Sequence, residues 1–136
     1  MHDKPAIAAA LYRSLADGDK DTILSLLDPA FRGHTTAGLP LELGGHYNGP
    51  ASMLRNFWGA IARAFDAAAY PTDYLLLSDN RLLVCGTYRG VARGSGRRFE
   101  ADFTHILRFA DNRVSELIQL TDSAQWAAAL ETVDTE

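Results

Sequence analysis

Asp122, His105 and Tyr88 are the side chains with which this 136-residue chain is best equipped to move a proton. Abstracting a proton beside a carbonyl needs a base held out of water and a donor for the oxygen on which negative charge develops. Asp122 suits the first role. Burial among Leu120, Trp126 and Phe103 would disfavour its charged form and lift its pKa from about 3.9 toward the working range. Tyr88 or His105 suits the second, and the chemistry needs no cofactor. Each residue also has a plainer reading. Asp122 precedes Ser123-Ala124-Gln125-Trp126 and fits a helix N-cap equally well. His105 fits a buried imidazole bonded to a backbone carbonyl, and Tyr88 a core aromatic with a paired hydroxyl. Their conjunction on one face of a sheet favours the chemical reading.

That conjunction rests on hairpin register. If Asp111-Asn112 is a two-residue turn, His105 faces Ile118, Phe103 faces Leu120 and Ala101 faces Asp122. A four-residue turn from Arg93 to Gly96 sets Val84 beside His105, Gly86 beside Phe103 and Tyr88 beside Ala101. The face so defined is apolar except for Tyr88, His105 and Asp122, and Gly86 leaves space for a ligand. The alternate positions, among them Arg89, Glu100, Asp102 and Arg108, face solvent.

The elements that carry these strands are legible in order. Ile7, Ala8, Leu11, Tyr12 and Leu15 recur at helical spacing between Pro5 and Asp17, with Asp3 as cap and Gly18 as stop. A shorter helix runs from the cap Asp19 to Asp28-Pro29. A short strand around Phe31 then gives way to a glycine-rich loop holding His34, His46 and Tyr47. A third helix starts at Pro50 and presents Met53, Leu54, Phe57, Trp58, Ile61 and Phe65 on one broad face. Four runs of strand composition follow, over 72–78, 82–92, 98–109 and 114–122, before a last helical stretch over 123–130. Helices first and an antiparallel meander afterwards predict an α+β domain, with a bent sheet whose concave side is a pocket. Length predicts a single domain spanning 1–136.

Composition excludes several function classes. Net charge is −4, from 13 basic and 17 acidic residues, which argues against a surface that tracks nucleic-acid phosphates. Nothing in the sequence reads as a signal peptide or membrane span, and the single cysteine, Cys85, fits a reducing compartment, so the expected location is cytoplasmic. No phosphate loop or dinucleotide fingerprint is present, and Gly94-Ser95-Gly96 is a turn, not a nucleophile elbow. His34 and His46 lack His-x-His spacing or an adjacent carboxylate pair, so no metal is expected. Arg55 and Arg63 fall off the main apolar face of the third helix and make no phosphate clamp.

The order of elements, together with Asp28-Pro29-Ala30-Phe31, Tyr47-x-Gly49-Pro50, Gly86-Thr87-Tyr88-x-Gly90, Ser95-Gly96-Arg97, Phe103-x-His105, Val114-x-Glu116 and Asp122, resembles the nuclear transport factor 2-like superfamily. Within it the chain is similar to SnoaL-like polyketide cyclases and ketosteroid-isomerase-like proteins. The resemblance implies a cone-shaped fold, Asp122 as general acid/base and His105 beside it. Tyr12, Trp58, Tyr88, Phe103 and Leu120 become candidates for contact with a hydrophobic carbonyl compound of polyketide or steroid size. It leaves open a non-catalytic binding or scaffold role. The chain departs from the family in the middle hairpin and in the inserted Leu39-Pro40-Leu41-Glu42-Leu43. A homodimer is expected through the convex sheet face, where Tyr74, Leu76, Leu83, Cys85, Val91 and Ile106 would otherwise meet water.

Overall fold

The computed structural model describes residues 3–132. The chain opens with α1 (Lys4–Asp17) and α2 (Lys20–Leu26). α1 closes on Gly18, whose φ of 67° is the left-handed conformation that ends helices. α2 is capped as its sequence predicts, with the Asp19 carboxylate accepting from the Thr22 backbone N–H at 3.2 Å.

β1 (Leu27–Thr35) and β2 (Gly45–Asn48) follow, then the third helix in three pieces: α3 (Pro50–Ser52), a π-helical segment (Met53–Trp58) and α4 (Gly59–Ala64). π-turns inside helices concentrate at functional sites, and this one ends on Trp58. β3 (Phe65–Leu77), β4 (Arg81–Ala92), β5 (Arg98–Ala110) and β6 (Arg113–Thr121) form the expected meander, and α5 (Ser123–Leu130) closes the described chain.

The architecture is α+β, as expected, but the sheet is larger than four antiparallel strands. Six strands lie in the order β2-β1-β6-β5-β4-β3. β1 runs parallel to β6, so the sheet is mixed, and the glycine-rich loop supplies β2 as an antiparallel edge. β3 also starts seven residues before the expected Thr72. Phe65, expected at the end of the third helix, is its first residue, and Ala67, Ala68 and Ala69 pair with β4 opposite Gly90, Arg89 and Tyr88. Glycine permits that approach: a Cβ on Gly90 would stand 2.2 Å from the Asp66 carbonyl oxygen. Pro71 is tolerated because β3 is an edge strand and the ladder shifts between Pro71 and Asp73.

The helices cover one face of the sheet. Leu11, Tyr12, Phe57, Phe65, Phe103, Leu107 and Trp126 are buried there. Trp126 carries α5 onto the core, its ring 5.0 Å from Phe65 and 4.6 Å from Phe99.

Candidate functional site

The two hairpins that decide the site behave differently. β4 and β5 pair in the expected register, Val84 with His105, Gly86 with Phe103 and Tyr88 with Ala101. The Asp111-Asn112 turn also forms as expected, both residues at positive φ and Ala110 opposite Arg113. Immediately beyond it the ladder slips. Phe109 pairs with Val114 but Arg108 with Glu116, so Ser115 is an extra residue on β6. Because side chains alternate, one bulge turns over everything that follows.

This bulge corrects two expected site positions. His105 stands opposite Gln119, not Ile118, and Phe103 opposite Thr121, not Leu120. Leu120 therefore points outward and is 58% exposed, while Gln119 is 2% exposed on the inner face. Asp122 is exposed at the N-terminus of α5, makes no side-chain capping bond, and is not among the cavity-lining residues. The space at Gly86 is not free for a ligand either. A Cβ there would meet the Tyr70 carbonyl oxygen at 2.4 Å and the Phe103 ring at 2.8 Å.

What the inner face brings together is a hydrogen-bonded chain centred on His105. Its Nδ1 lies 2.8 Å from the Tyr12 hydroxyl and its Nε2 lies 2.6 Å from the Tyr88 hydroxyl. Gln119 donates from Nε2 to the same Tyr88 oxygen at 2.9 Å. Gln119 is held in turn by Thr36, whose hydroxyl donates to the Gln119 backbone carbonyl at 3.1 Å and accepts from the Thr121 N–H at 3.0 Å. The imidazole stacks on Phe103 at 4.2 Å and on Tyr12 at 5.7 Å. Phe103 is thus a support for the histidine and does not line the cavity.

Burial sets the charge state of this chain. His105 is 4% exposed and desolvation pushes its pKa down to about 3, so the imidazole is neutral at physiological pH. Burial raises the Tyr12 hydroxyl far above its ordinary 10.0, with repulsion from Tyr88 and Tyr74 adding to it. Burial raises Tyr88 too, opposed in part by the Gln119 hydrogen bond. Among the described residues no buried side-chain nitrogen or oxygen lacks a partner.

The chain borders a cavity of about 100 Å³ lined by Tyr12, Tyr88 and His105 and otherwise by apolar side chains, including Leu11, Phe57, Trp58 and Trp126. Sequence reasoning brought Tyr12, Trp58, Tyr88 and His105 to one place. It missed Gln119 and Thr36, which only the bulge and the β1–β6 contact reveal. His34 and His46, expected on the glycine-rich loop, sit on paired strands of the outer face. Their Nδ1 atoms are 2.6 Å apart and His34 Nε2 is 3.1 Å from Glu116. Among the described residues there is no group of three or more histidine, cysteine or acidic side chains able to hold a metal.

A mixed sheet wrapped by helices around a polar-lined apolar cavity defines an α+β fold of the nuclear transport factor 2-like kind. Residues 8–117 match the SnoaL-like domain, and the chain belongs to that family. No relative is detected among curated proteins. Solved structures share the fold. A nuclear transport factor 2-like protein of Burkholderia thailandensis has 22% identity and a TM-score of 0.85, over 96% of this chain and 99% of that one. TerC, crystallised with polyporic acid, has 21% identity and a TM-score of 0.83 over 93% and 97%. IdmH of Streptomyces antibioticus, a candidate polyketide cyclase, has 23% identity and a TM-score of 0.77 over 95% and 99%.

Proposed function

We propose that the protein is a cyclase or isomerase of the SnoaL-like type, which enolises a hydrophobic carbonyl compound by proton transfer through Tyr12, His105 and Tyr88. The observation that carries this reading is a neutral imidazole bonded at both nitrogens to tyrosines that line an apolar cavity. Counting hydrogens shows what such a chain can do. Two phenols and one neutral imidazole carry three mobile hydrogens, and two hydrogen bonds use two of them. One hydroxyl hydrogen is left for the substrate. With the imidazole hydrogen on Nε2 it is the Tyr88 hydrogen that is free, and with the hydrogen on Nδ1 it is the Tyr12 hydrogen.

Gln119 gives the chain a direction. Its amide donates to the Tyr88 oxygen and stabilises negative charge there, so Tyr88 is the acid end. The substrate C–H proton passes to the Tyr12 oxygen as the Tyr12 hydroxyl proton passes to His105 Nδ1. The Nε2 proton then goes to the Tyr88 oxygen and the Tyr88 hydroxyl proton to the carbonyl oxygen. The C–H electron pair becomes the C=C bond of the enol, and the carbonyl π pair becomes its new O–H bond. No group changes its net charge, which suits an apolar site where a charged intermediate is costly. Asp122, exposed beyond the cavity, has no part in this route.

The test is solvent deuterium incorporation at the carbon between the carbonyls of a cyclic 1,3-diketone. The protein should accelerate exchange above buffer, and His105→Gln should lose roughly 10²–10⁴-fold, the usual contribution of a positioned acid/base. Equal exchange with and without protein would remove enolisation from consideration.

The partner reading is a second copy of this chain. The bulge in β3 moves Tyr74 to the core side and puts Leu75 outward in its place. Leu75, Leu83, Ile106 and Ile118 then form one row across four strands of the open sheet face, with Leu120 beside it. Leu75 and Leu120 are each more than half exposed. An apolar stripe of this kind favours self-association.

A further inference from the structure

The cavity that holds the Tyr12, His105 and Tyr88 groups is too small, at about 100 Å³, for a polyketide-sized molecule. Pockets for such ligands run from roughly 300 to 1,000 Å³. A second space lies against it. Between the α1–α2 turn and the third helix is a groove of about 350 Å³, and Leu15, Trp58 and Ala62 line both the groove and the cavity. Trp58, at the end of the π-helical segment, is the largest of the three shared side chains. The two spaces adjoin across these side chains, and together they come within the range that such a ligand needs.

The charge around that groove is of one sign. Its walls include Leu15, Ile23, Leu54 and Trp58, its charged lining residues are Lys20, Arg55 and Arg63, and no carboxylate contributes to it. Among the described residues none of these three cations has a carboxylate within 4.0 Å; the ion pairs there involve His34, Arg89 and Arg108 instead. Asp19, next to Lys20 in the chain, is engaged by both the N–H and the hydroxyl of Thr22. An apolar trough with unpaired cations complements an amphiphile carrying negative charge.

We infer that the substrate is a bipartite acidic compound, with a compact carbonyl-bearing head in the cavity, a flat apolar body in the groove past Trp58, and a carboxylate or comparably acidic group at Lys20, Arg55 and Arg63. The inference rests on the proton-transfer reading of the cavity and adds the part of the substrate that reading leaves undefined. One acidic group is the appropriate load, since the three cations are exposed and water screens the attraction each offers.

The experiment compares 2-acetonaphthone with 6-acetyl-2-naphthoic acid on the intact protein, by calorimetry and by the His105 imidazole NMR resonances. The acid should bind at least tenfold more tightly than the ketone at low ionic strength, and the ratio should shrink as salt is added. In the folded triple variant Lys20→Gln, Arg55→Gln, Arg63→Gln, checked by circular dichroism, the ratio should fall to about one. Equal affinities in the parent protein, or a ratio that survives the triple substitution, would overturn the inference. If the ketone moves the His105 resonances and the acid gains nothing, the groove assignment fails and the cavity reading stands. If neither compound moves them, both fail together.

Discussion

Gln119 Nε2 lies 2.9 Å from the Tyr88 hydroxyl oxygen, so an amide hydrogen on β6 fills a lone pair of a phenol on β4. Both side chains belong to the inner face, and Gln119 is among the most deeply buried polar residues. Removing one partner strands the other. Tyr88→Phe should cost about 1–3 kcal/mol of stability, the penalty for an unsatisfied buried donor. The double variant Tyr88→Phe, Gln119→Leu should lose less than the sum of the single variants. Urea melts of all four proteins measure that coupling; strict additivity would mean that the bond contributes nothing.

The position of Asp122 leads to a second expectation. It is exposed outside the cavity, so Asp122→Asn should leave deuterium exchange of the cyclic diketone within about threefold of the parent protein. Tyr12→Phe breaks the chain at its base end and should lower the rate roughly 10²–10⁴-fold. The opposite ranking would restore the aspartate as the base.

The burial of His105 makes stability depend on pH with a defined sign. Its folded pKa of about 3 is below the unfolded 6.5, so between those values the unfolded chain binds more protons than the native one. The stabilisation is complete above pH 6.5 and is lost as pH falls toward 3, with a slope of up to about 1.4 kcal/mol per pH unit from this group. Denaturant melts from pH 7 to pH 4 should show that slope flattened in His105→Gln. An unchanged slope would place the acid sensitivity elsewhere.

The apolar row across the open sheet face predicts a dimer at micromolar concentration. Sedimentation velocity should give a species of twice 14.8 kDa, and Ile106→Lys should return it to the monomer. A monomer from the unsubstituted chain would refute the assignment.

Local sequence determined most of the element boundaries. Pro50 and the glycines around it mark the start of the third helix, Asp19 caps α2, and Asp111-Asn112 supplies the two positive-φ residues of its hairpin. These signals act within a few residues and need no partner to be read. Alternation along β4 and β5 likewise placed Tyr88 and His105 on one face. The composition of the site lay beyond such reasoning. Whether Leu120 or Gln119 faces inward depends on Ser115, one extra residue in β6, and both parities offer a plausible apolar pattern to a reader of the sequence. β2 and the first half of β3 become strands only because neighbouring strands offer hydrogen bonds. The parallel pairing of β1 with β6 brings Thr36 to Gln119 across more than 80 positions of chain. Tertiary packing decided which polar groups meet, because a sheet register is fixed by the energy of both its faces together and not by the preferences of either strand alone.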